Sequence, residues 1–349
     1  MSFSTLFATE WGYQIGTPES DSEPRIVASP NGDLLVCGRT YGNLYSTNAG
    51  GSDIFFERLN SETGNKIIAG KQLGSSENDQ CYAIATDSSS NMYIAGCVSG
   101  ANFGTFLGEF DGFIAKYNSS GTKIWGKQFG SSLDDIVKNM VIDKQGNIYI
   151  SGYTRGSFGG ALIGTIDTFI AKYDNSGNQI WVRKFGASGS TTYPEFAIDL
   201  DSDGNIYISG RTDADLFGTN AGSYDVWIVK YSNDGTRIWA RQHGSAGSDY
   251  PYDLKVDSFG NIYIIGDTVG DFGAINAGSY DLFFAKYDNN GNQIWVKQFG
   301  GSDPDYGRAV EIDSFGYIYI GGYSYFEFGG GLGSFDAFVA KYDQNDRLI

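Results

Sequence analysis

The 349-residue sequence predicts an all-β fold, a six-bladed β-propeller with four antiparallel strands per blade, and three observations carry that prediction. First, one phrase recurs along the chain. It reads Gly-Asn-Ile-Tyr-Ile, then Tyr-Asp-x-Phe-x-Ala-Lys-Tyr-Asp, then Gly-Asn-x-Ile-Trp-x-Lys-Gln-Phe-Gly, clearest over 260–264, 280–288 and 291–300. Second, the glycine closing each copy falls at Gly16, Gly74, Gly130, Gly186, Gly244 and Gly300, in steps of 58, 56, 56, 58 and 56. Third, each copy holds short segments of alternating apolar residues separated by turn residues. A repeat of this length is the mark of solenoids, arrays and propellers.

In the clearest copy the predicted strands are Tyr252–Val256, Asn261–Ile265, Leu282–Tyr287 and Gln293–Phe299. Period-two alternation rich in Tyr, Ile, Val and Phe makes half-buried strands. The links Asp-Ser-Phe-Gly-Asn (257–261) and Asp-Asn-Asn-Gly-Asn (288–292) predict tight hairpins, since Gly and Asn tolerate positive φ. Four antiparallel strands repeated radially leave few open sheet edges. The last copy reaches its fourth strand at Arg347-Leu348-Ile349, while Trp11-Gly-Tyr-Gln-Ile-Gly16 matches Trp295-Val-Lys-Gln-Phe-Gly300. Residues about 5–15 are therefore predicted to supply the outer strand of the sixth blade, within one domain spanning 1–349.

These units resemble the bacterial SBBP-type β-propeller repeat and, more distantly, the NHL-type repeat, over nearly the whole chain. The resemblance implies the fold but no single activity, because propellers host binding, scaffolding and catalysis alike.

A net charge of −17 disfavours nucleic acid and anionic membranes as partners, because like charges repel. No apolar run approaches the ~20 residues needed to span a bilayer. The opening Met-Ser-Phe-Ser-Thr-Leu-Phe-Ala-Thr-Glu-Trp does not read as a signal peptide. Cys37, Cys81 and Cys97 form neither a metal-spaced motif nor a full disulfide framework. A cytoplasmic monomer follows as the expectation, or an extracellular one if a leader was removed, with a small molecule or a protein as its partner.

Individuality is expected where the copies cease to agree. Two recurrent sets have structural readings: the aromatic slot Tyr45, Phe103, Phe158, Phe217, Phe272 and Phe328, expected to plug the seam to the next blade, with repeated sugar platforms as the alternative, and the carboxylates Asp53, Asp111, Asp167, Asp225, Asp281 and Asp336, expected to cap loop N–H groups. The slot after the second-strand glycine differs, holding Arg39, Cys97, Tyr153, Arg211, Asp267 and Tyr323. Uninterrupted hairpin register would place opposite them the residues 16 positions earlier, Glu23, Cys81, Val137, Glu195, Pro251 and Gly307. That reading gives Arg–Glu pairs in blades one and four, two thiols in blade two, tyrosines without a hydrogen-bonding partner in blades three and six, and in blade five Asp267 with no local cation. A buried, unpaired carboxylate is a candidate general base. Tyr82, Lys138, Tyr252, Asp253 and Arg308, from the first strands, diversify in the same way and are expected to complete a polar, aromatic pocket at the mouth of the central channel.

No cofactor is expected. Asp199-Leu-Asp201-Ser-Asp203-Gly204-Asn205 has the Asp-x-Asp-x-Asp-Gly spacing of a calcium loop, but the later acidic ligand is missing because Ile206–Ile208 re-enter a strand. The one histidine, His243, takes a slot held elsewhere by Phe129, Phe185 and Phe299, so a His-cluster metal site is excluded.

Three functions fit: a binding or scaffolding propeller, a small-molecule enzyme, and a lectin with equivalent sites. The enzyme reading has a family counterpart, since the chain is similar to the propeller part of cyanobacterial enzymes that alkylate phenols or carboxylates with alkyl halides. That resemblance implies Arg, Asp and Tyr in the site; those enzymes also carry a calcium-binding domain with no counterpart in these residues. The resemblance assigns no residue of this chain; on the enzyme reading, its own residues make Asp267 the base, Arg211 or Arg39 the anion clamp, and Tyr153 and Tyr323 the ring-orienting groups.

Overall fold

The computed structural model describes residues 11–325 and 336–349, apart from the side chain of Phe196. Every regular element among them is a strand, and there is one sheet per repeat, six in all. The fold is a six-bladed β-propeller. Blade 1 holds β1 (Asp21–Ala28), β2 (Leu34–Thr40), β3 (Asp53–Leu59) and β4 (Lys71–Leu73). Blade 2 holds β5 (Asp79–Thr86), β6 (Met92–Val98), β7 (Asp111–Tyr117) and β8 (Lys123–Phe129), and blade 3 holds β9 (Asp135–Ile142), β10 (Ile148–Thr154), β11 (Asp167–Tyr173) and β12 (Gln179–Phe185). Blade 4 holds β13 (Thr192–Leu200), β14 (Ile206–Thr212), β15 (Asp225–Tyr231) and β16 (Arg237–His243), and blade 5 holds β17 (Asp249–Val256), β18 (Ile262–Thr268), β19 (Asp281–Tyr287) and β20 (Gln293–Phe299). Blade 6 is three-stranded among the described residues, with β21 (Tyr306–Ile312), β22 (Ile318–Ser324) and β23 (Asp336–Tyr342).

The chain divides into two compact units, residues 1–148 with 174–178 and residues 149–173 with 179–349. In the first, Leu35, Ile54, Phe56, Ile94, Phe113 and Tyr117 form one buried cluster; in the second, Tyr207, Ile228, Ile264, Phe283 and Tyr287 form another. Fully burying a large apolar side chain contributes roughly 1.5–3 kcal/mol, so the second and third strands of the blades, which carry these residues, anchor the fold.

The predicted hairpins form. Gly260 and Gly291 adopt φ of 82° and 77°, and their N–H groups donate to Asp257 and Asp288 carbonyls at 3.0 and 2.9 Å. The predicted capping carboxylates also do what their position implied. Asp53, Asp111, Asp167, Asp225 and Asp281 each accept a loop N–H, from Ala49, Leu107, Ile163, Ala221 and Ala277 at 2.8–3.0 Å. The aromatic slot packs inward: Phe103, Phe158 and Phe272 lie 4.7, 5.0 and 5.0 Å from Phe113, Phe169 and Phe283 of their own third strands. Phe328 lies outside the described residues.

The register of the first hairpin departs from the uninterrupted pairing. A β-bulge interrupts the first strand between Ser22 and Arg25, Cys81 and Ala83, Pro194 and Ile198, Pro251 and Asp253, and Gly307 and Ala309. The residues opposite Arg39, Cys97, Arg211, Asp267 and Tyr323 are therefore Ser22, Gln80, Tyr193, Tyr250 and Tyr306, not Glu23, Cys81, Glu195, Pro251 and Gly307. A bulge leaves its extra residue unpaired and re-aims its side chain.

The N-terminal strand predicted over 5–15 lies partly outside the described residues, and 11–17 are not in a strand. Trp11 donates through Nε1 to Ser61 O at 2.9 Å, the contact that an outer-strand tryptophan makes in later repeats.

Candidate functional site

The bulges bring tyrosines to the strand ends of the second unit. Tyr193, Tyr250 and Tyr306 stand opposite the variable slot, while Tyr224 and Tyr280 precede the third strands of blades 4 and 5. Their rings run in succession: Tyr224 to Tyr250 at 5.8 Å, Tyr250 to Tyr280 at 6.3 Å, Tyr280 to Tyr306 at 5.6 Å and Tyr306 to Tyr323 at 4.9 Å. Tyr153 meets Tyr193 edge to face at 5.1 Å. Such spacings are those of attractive aromatic pairs.

Two arginines sit in this row, each among tyrosine rings. The guanidinium of Arg211 is 5.4, 5.3 and 4.9 Å from the rings of Tyr193, Tyr224 and Tyr250, and its Nη1 pairs with Glu195 at 3.0 Å. Arg211 Nε is buried without a hydrogen-bond partner. Arg308 lies 3.8 Å from the centre of Tyr252, with Tyr306 at 4.7 Å and Tyr323 at 5.0 Å. Arginine over an aromatic face is worth about 0.5–1 kcal/mol when exposed and more when desolvated.

Asp267 is 1% exposed and does have a local cation, contrary to the sequence expectation. Arg308 Nη1 donates to its Oδ2 at 2.8 Å, and the Gly307 N–H donates to its Oδ1 at 2.9 Å. The misplaced register hid this partner, because Arg308 is the bulged residue of the next blade. Burial pushes the Asp267 carboxyl up to about 7, against the opposing pull of Arg308. Arg308 Nη2 also donates to the Tyr323 hydroxyl at 3.1 Å, so Tyr323 is not without a hydrogen-bonding neighbour. Burial, then the Asp267 charge, raises the Tyr252 phenol to about 12.

Other candidates are placed apart from this row. Asp253 turns to the next blade and accepts the Val310 N–H at 3.0 Å, and burial raises its carboxyl to about 7. Asp199 does the same with Val256 N–H at 2.9 Å, and Asp201 caps its own hairpin through the N–H groups of Asp203 and Asn205. The carboxylates of the calcium-like spacing thus point to separate tasks, and no metal-holding acidic, His or Cys cluster occurs among the described residues. His243 packs 5.1 Å from Tyr287, and burial lowers its pKa.

In the first unit, Arg39 pairs with Glu23 at 3.1 Å and donates through Nε to Ser22 Oγ at 3.0 Å. Lys138 lies 3.8 Å from the ring centre of Tyr82. The cysteine reading is corrected twice: Cys37 is disulfide-bonded to Cys81, and Cys97 is the buried free thiol. Cys81 lies opposite Gly96 rather than Cys97, which leaves it to reach Cys37 of blade 1.

Sequence reasoning named Arg211, Glu195, Tyr252, Asp267, Arg308, Tyr153 and Tyr323, and the structure gathers them along one row. It missed Tyr193, Tyr224, Tyr250, Tyr280 and Tyr306. For Tyr193, Tyr250 and Tyr306 the signal was Tyr before Pro194, Pro251 and Gly307, residues that mark an interrupted strand; for Tyr224 and Tyr280 it was the Tyr before the recurrent Asp225 and Asp281.

Comparison with known proteins fits the repeat geometry. The model of the SBBP β-propeller repeat matches residues 70–104, 124–159, 180–218, 238–273 and 294–329. The chain belongs to this repeat family. An SBBP chain of this kind is similar to an uncharacterized WD repeat-containing protein of Acanthamoeba polyphaga mimivirus, 27% identical over 232 residues, covering 51% of this chain and 17% of that one. It is also similar to the regulatory protein FlaEY of Caulobacter vibrioides, 23% identical over 232 residues, covering 57% of this chain and 24% of the relative. The match thus spans less than a quarter of either relative. Among solved structures, a protein of unknown function from Bacteroides caccae is similar at 11% identity and a TM-score of 0.49, covering 86% of this chain and 90% of that one. No helix among the described residues is long and apolar enough to cross a membrane.

Proposed function

We propose that the chain is a binding propeller whose tyrosine row in blades 4 to 6 receives a small planar anion, such as an aromatic carboxylate. The observation that carries this reading is the pair of arginines, Arg211 and Arg308, each held among tyrosine rings with one acidic partner. The rings supply flat stacking surfaces, and the guanidinium forks supply paired donors for a carboxylate. Four different slot residues in unequal surroundings favour one asymmetric ligand over equivalent lectin sites. Titration of the full chain with benzoate and hydroxybenzoates, followed by tyrosine fluorescence, tests it. Arg211→Ala and Arg308→Ala should each weaken binding about tenfold, as loss of a charge-assisted contact does. Unchanged affinity in both variants would overturn the reading.

The catalytic alternative rests on one observation, the Asp267 carboxyl poised at about 7. A base must reach a substrate proton, and both Asp267 oxygens are engaged by Arg308 and Gly307. In this reading Arg308 leaves Asp267 for the substrate anion, with Tyr323 and Arg211 orienting it. Asp267→Asn that keeps its fold and retains full turnover of a phenolic substrate removes the alternative.

A further inference from the structure

Five of the six tryptophans share one task. Trp11, Trp125, Trp181 and Trp239 each cover the turn glycine of a third-to-fourth-strand hairpin, Gly64, Gly177, Gly235 and Gly291. Their Nε1 atoms donate to Ser61, Asn175, Asn233 and Asn289 carbonyls at 2.9, 3.1, 3.2 and 3.0 Å, and Trp295 donates to Asp346 Oδ2 at 3.0 Å. In four of the five the indole therefore covers a turn glycine and satisfies a turn carbonyl at once, and Trp295 meets the carboxylate of a turn residue instead.

Blade 1 breaks the pattern. Its outer strand β4 has 3 residues, and the side chain set against the blade 2 turn glycine, Gly121, is Ile68. The local sequence, Gly-Asn-Lys-Ile-Ile-Ala-Gly-Lys-Gln-Leu-Gly over 64–74, has no tryptophan and carries an extra residue. Beside it opens a cleft of about 720 Å³, lined by Lys71, Asn102, Phe103, Tyr117, Thr122 and Lys123 and by the buried carboxylate of Asp53, whose Oδ2 accepts from the Ala49 N–H and Gln72 Nε2. Tyr117 is 3% exposed, and its hydroxyl has no hydrogen-bond partner. The Asn102 amide nitrogen is buried in the same state. Tyr287, at the equivalent position of blade 5, also has an unpartnered hydroxyl, so the hydroxyl alone marks nothing. What distinguishes Tyr117 is its place in a cleft with a second unmet donor, two exposed lysines and an aromatic ring. Buried polar groups left unmet destabilise the folded chain, and a ligand that supplies partners relieves that cost.

We infer that this seam binds an acidic saccharide, a sugar carrying a carboxylate. Lys71 and Lys123 match the carboxylate, Asn102, Tyr117 and Thr122 match sugar hydroxyls, and Phe103, which stacks on Phe113 and has Lys123 Nζ 5.7 Å from its centre, offers only its remaining ring surface to sugar C–H groups. The site is separate from the tyrosine row and stands or falls without it.

The test is calorimetric titration of the full chain with an oligogalacturonate and with a neutral galacto-oligosaccharide of equal length. The acidic sugar should bind at least about tenfold tighter than the neutral one, and Lys71→Ala with Lys123→Ala should remove about that factor, as loss of two exposed charge contacts implies. Ile68→Trp, which restores the seam tryptophan, should also weaken binding, while Arg308→Ala should leave it unchanged. No binding of the acidic sugar, equal affinity for the neutral one, or full affinity in the double lysine variant overturns the proposal. If Ile68→Trp does not fold, the surface lysine variants still decide it.

Discussion

Blades 2 and 3 and blades 5 and 6 repeat one contact with different neighbours. In the first unit the bulged Tyr82 carries Lys138 at 3.8 Å; in the second the bulged Tyr252 carries Arg308, also at 3.8 Å. Both pairs come from the same positions of the repeat. The slot beside them separates the two regions: Cys97, a buried thiol pushed upward by burial, against Asp267, a buried carboxyl within hydrogen-bond reach of the cation. The opposite residue differs too, Gln80 against Tyr250. The repeat thus sets a cation over a bulged tyrosine in both regions, and in the second the slot carboxylate of Asp267 pairs with that cation as well.

The largest effect that would break this contrast is on stability. Asp267→Ala should cost about 2–4 kcal/mol, because it strips a buried carboxylate from Arg308 and from the Gly307 N–H. Cys97→Ala should cost only about 1 kcal/mol, the loss of one buried sulfur. Urea unfolding midpoints of the two variants measure the difference, and equal shifts would show that Asp267 is no more than a packed side chain.

The next effect is on pH dependence. The Asp267 carboxyl is raised to about 7, whereas an unfolded Asp titrates near ~3.9, so between these values the folded chain holds the proton more tightly. Its stabilising contribution is full below the unfolded pKa and is lost as pH rises through about 7, with a slope of at most about 1.4 kcal/mol per pH unit. The stability of the unmodified chain minus that of Asp267→Asn should therefore fall from pH 4 to pH 7, while the same difference for Cys97→Ser stays flat.

The contrast was partly legible in the sequence. Repeat spacing gave the blades and the hairpins, and disagreement among equivalent slots picked out Arg39, Arg211, Asp267 and Tyr323. Register failed at one place, because a bulge adds a residue without disturbing the apolar alternation on either side. That slip hid the tyrosines at 193, 250 and 306 and concealed the Asp267–Arg308 pair. The Arg39–Glu23 and Arg211–Glu195 pairs survived it, since long side chains span the one-residue error. The Cys37–Cys81 bond could not be read at all: it joins two blades, with Cα atoms 6.2 Å apart, and spacing along the chain carries no such distance.

The smallest predicted effect sharpens the comparison by exchanging the cations. Arg308 uses its fork twice, on Asp267 and on the Tyr323 hydroxyl, while its plane lies over Tyr252. A lysine offers a point charge without the plane, so Arg308→Lys should cost about 1 kcal/mol. Lys138 meets the Tyr82 face from a slot beside a neutral thiol, and Lys138→Arg should change stability by less than about 0.5 kcal/mol. Thermal melts of the two exchanges compare the clamps directly. Equal losses would mean that the planar fork has no special use in blade 6, and that the carboxylate of Asp267 alone makes the two regions differ.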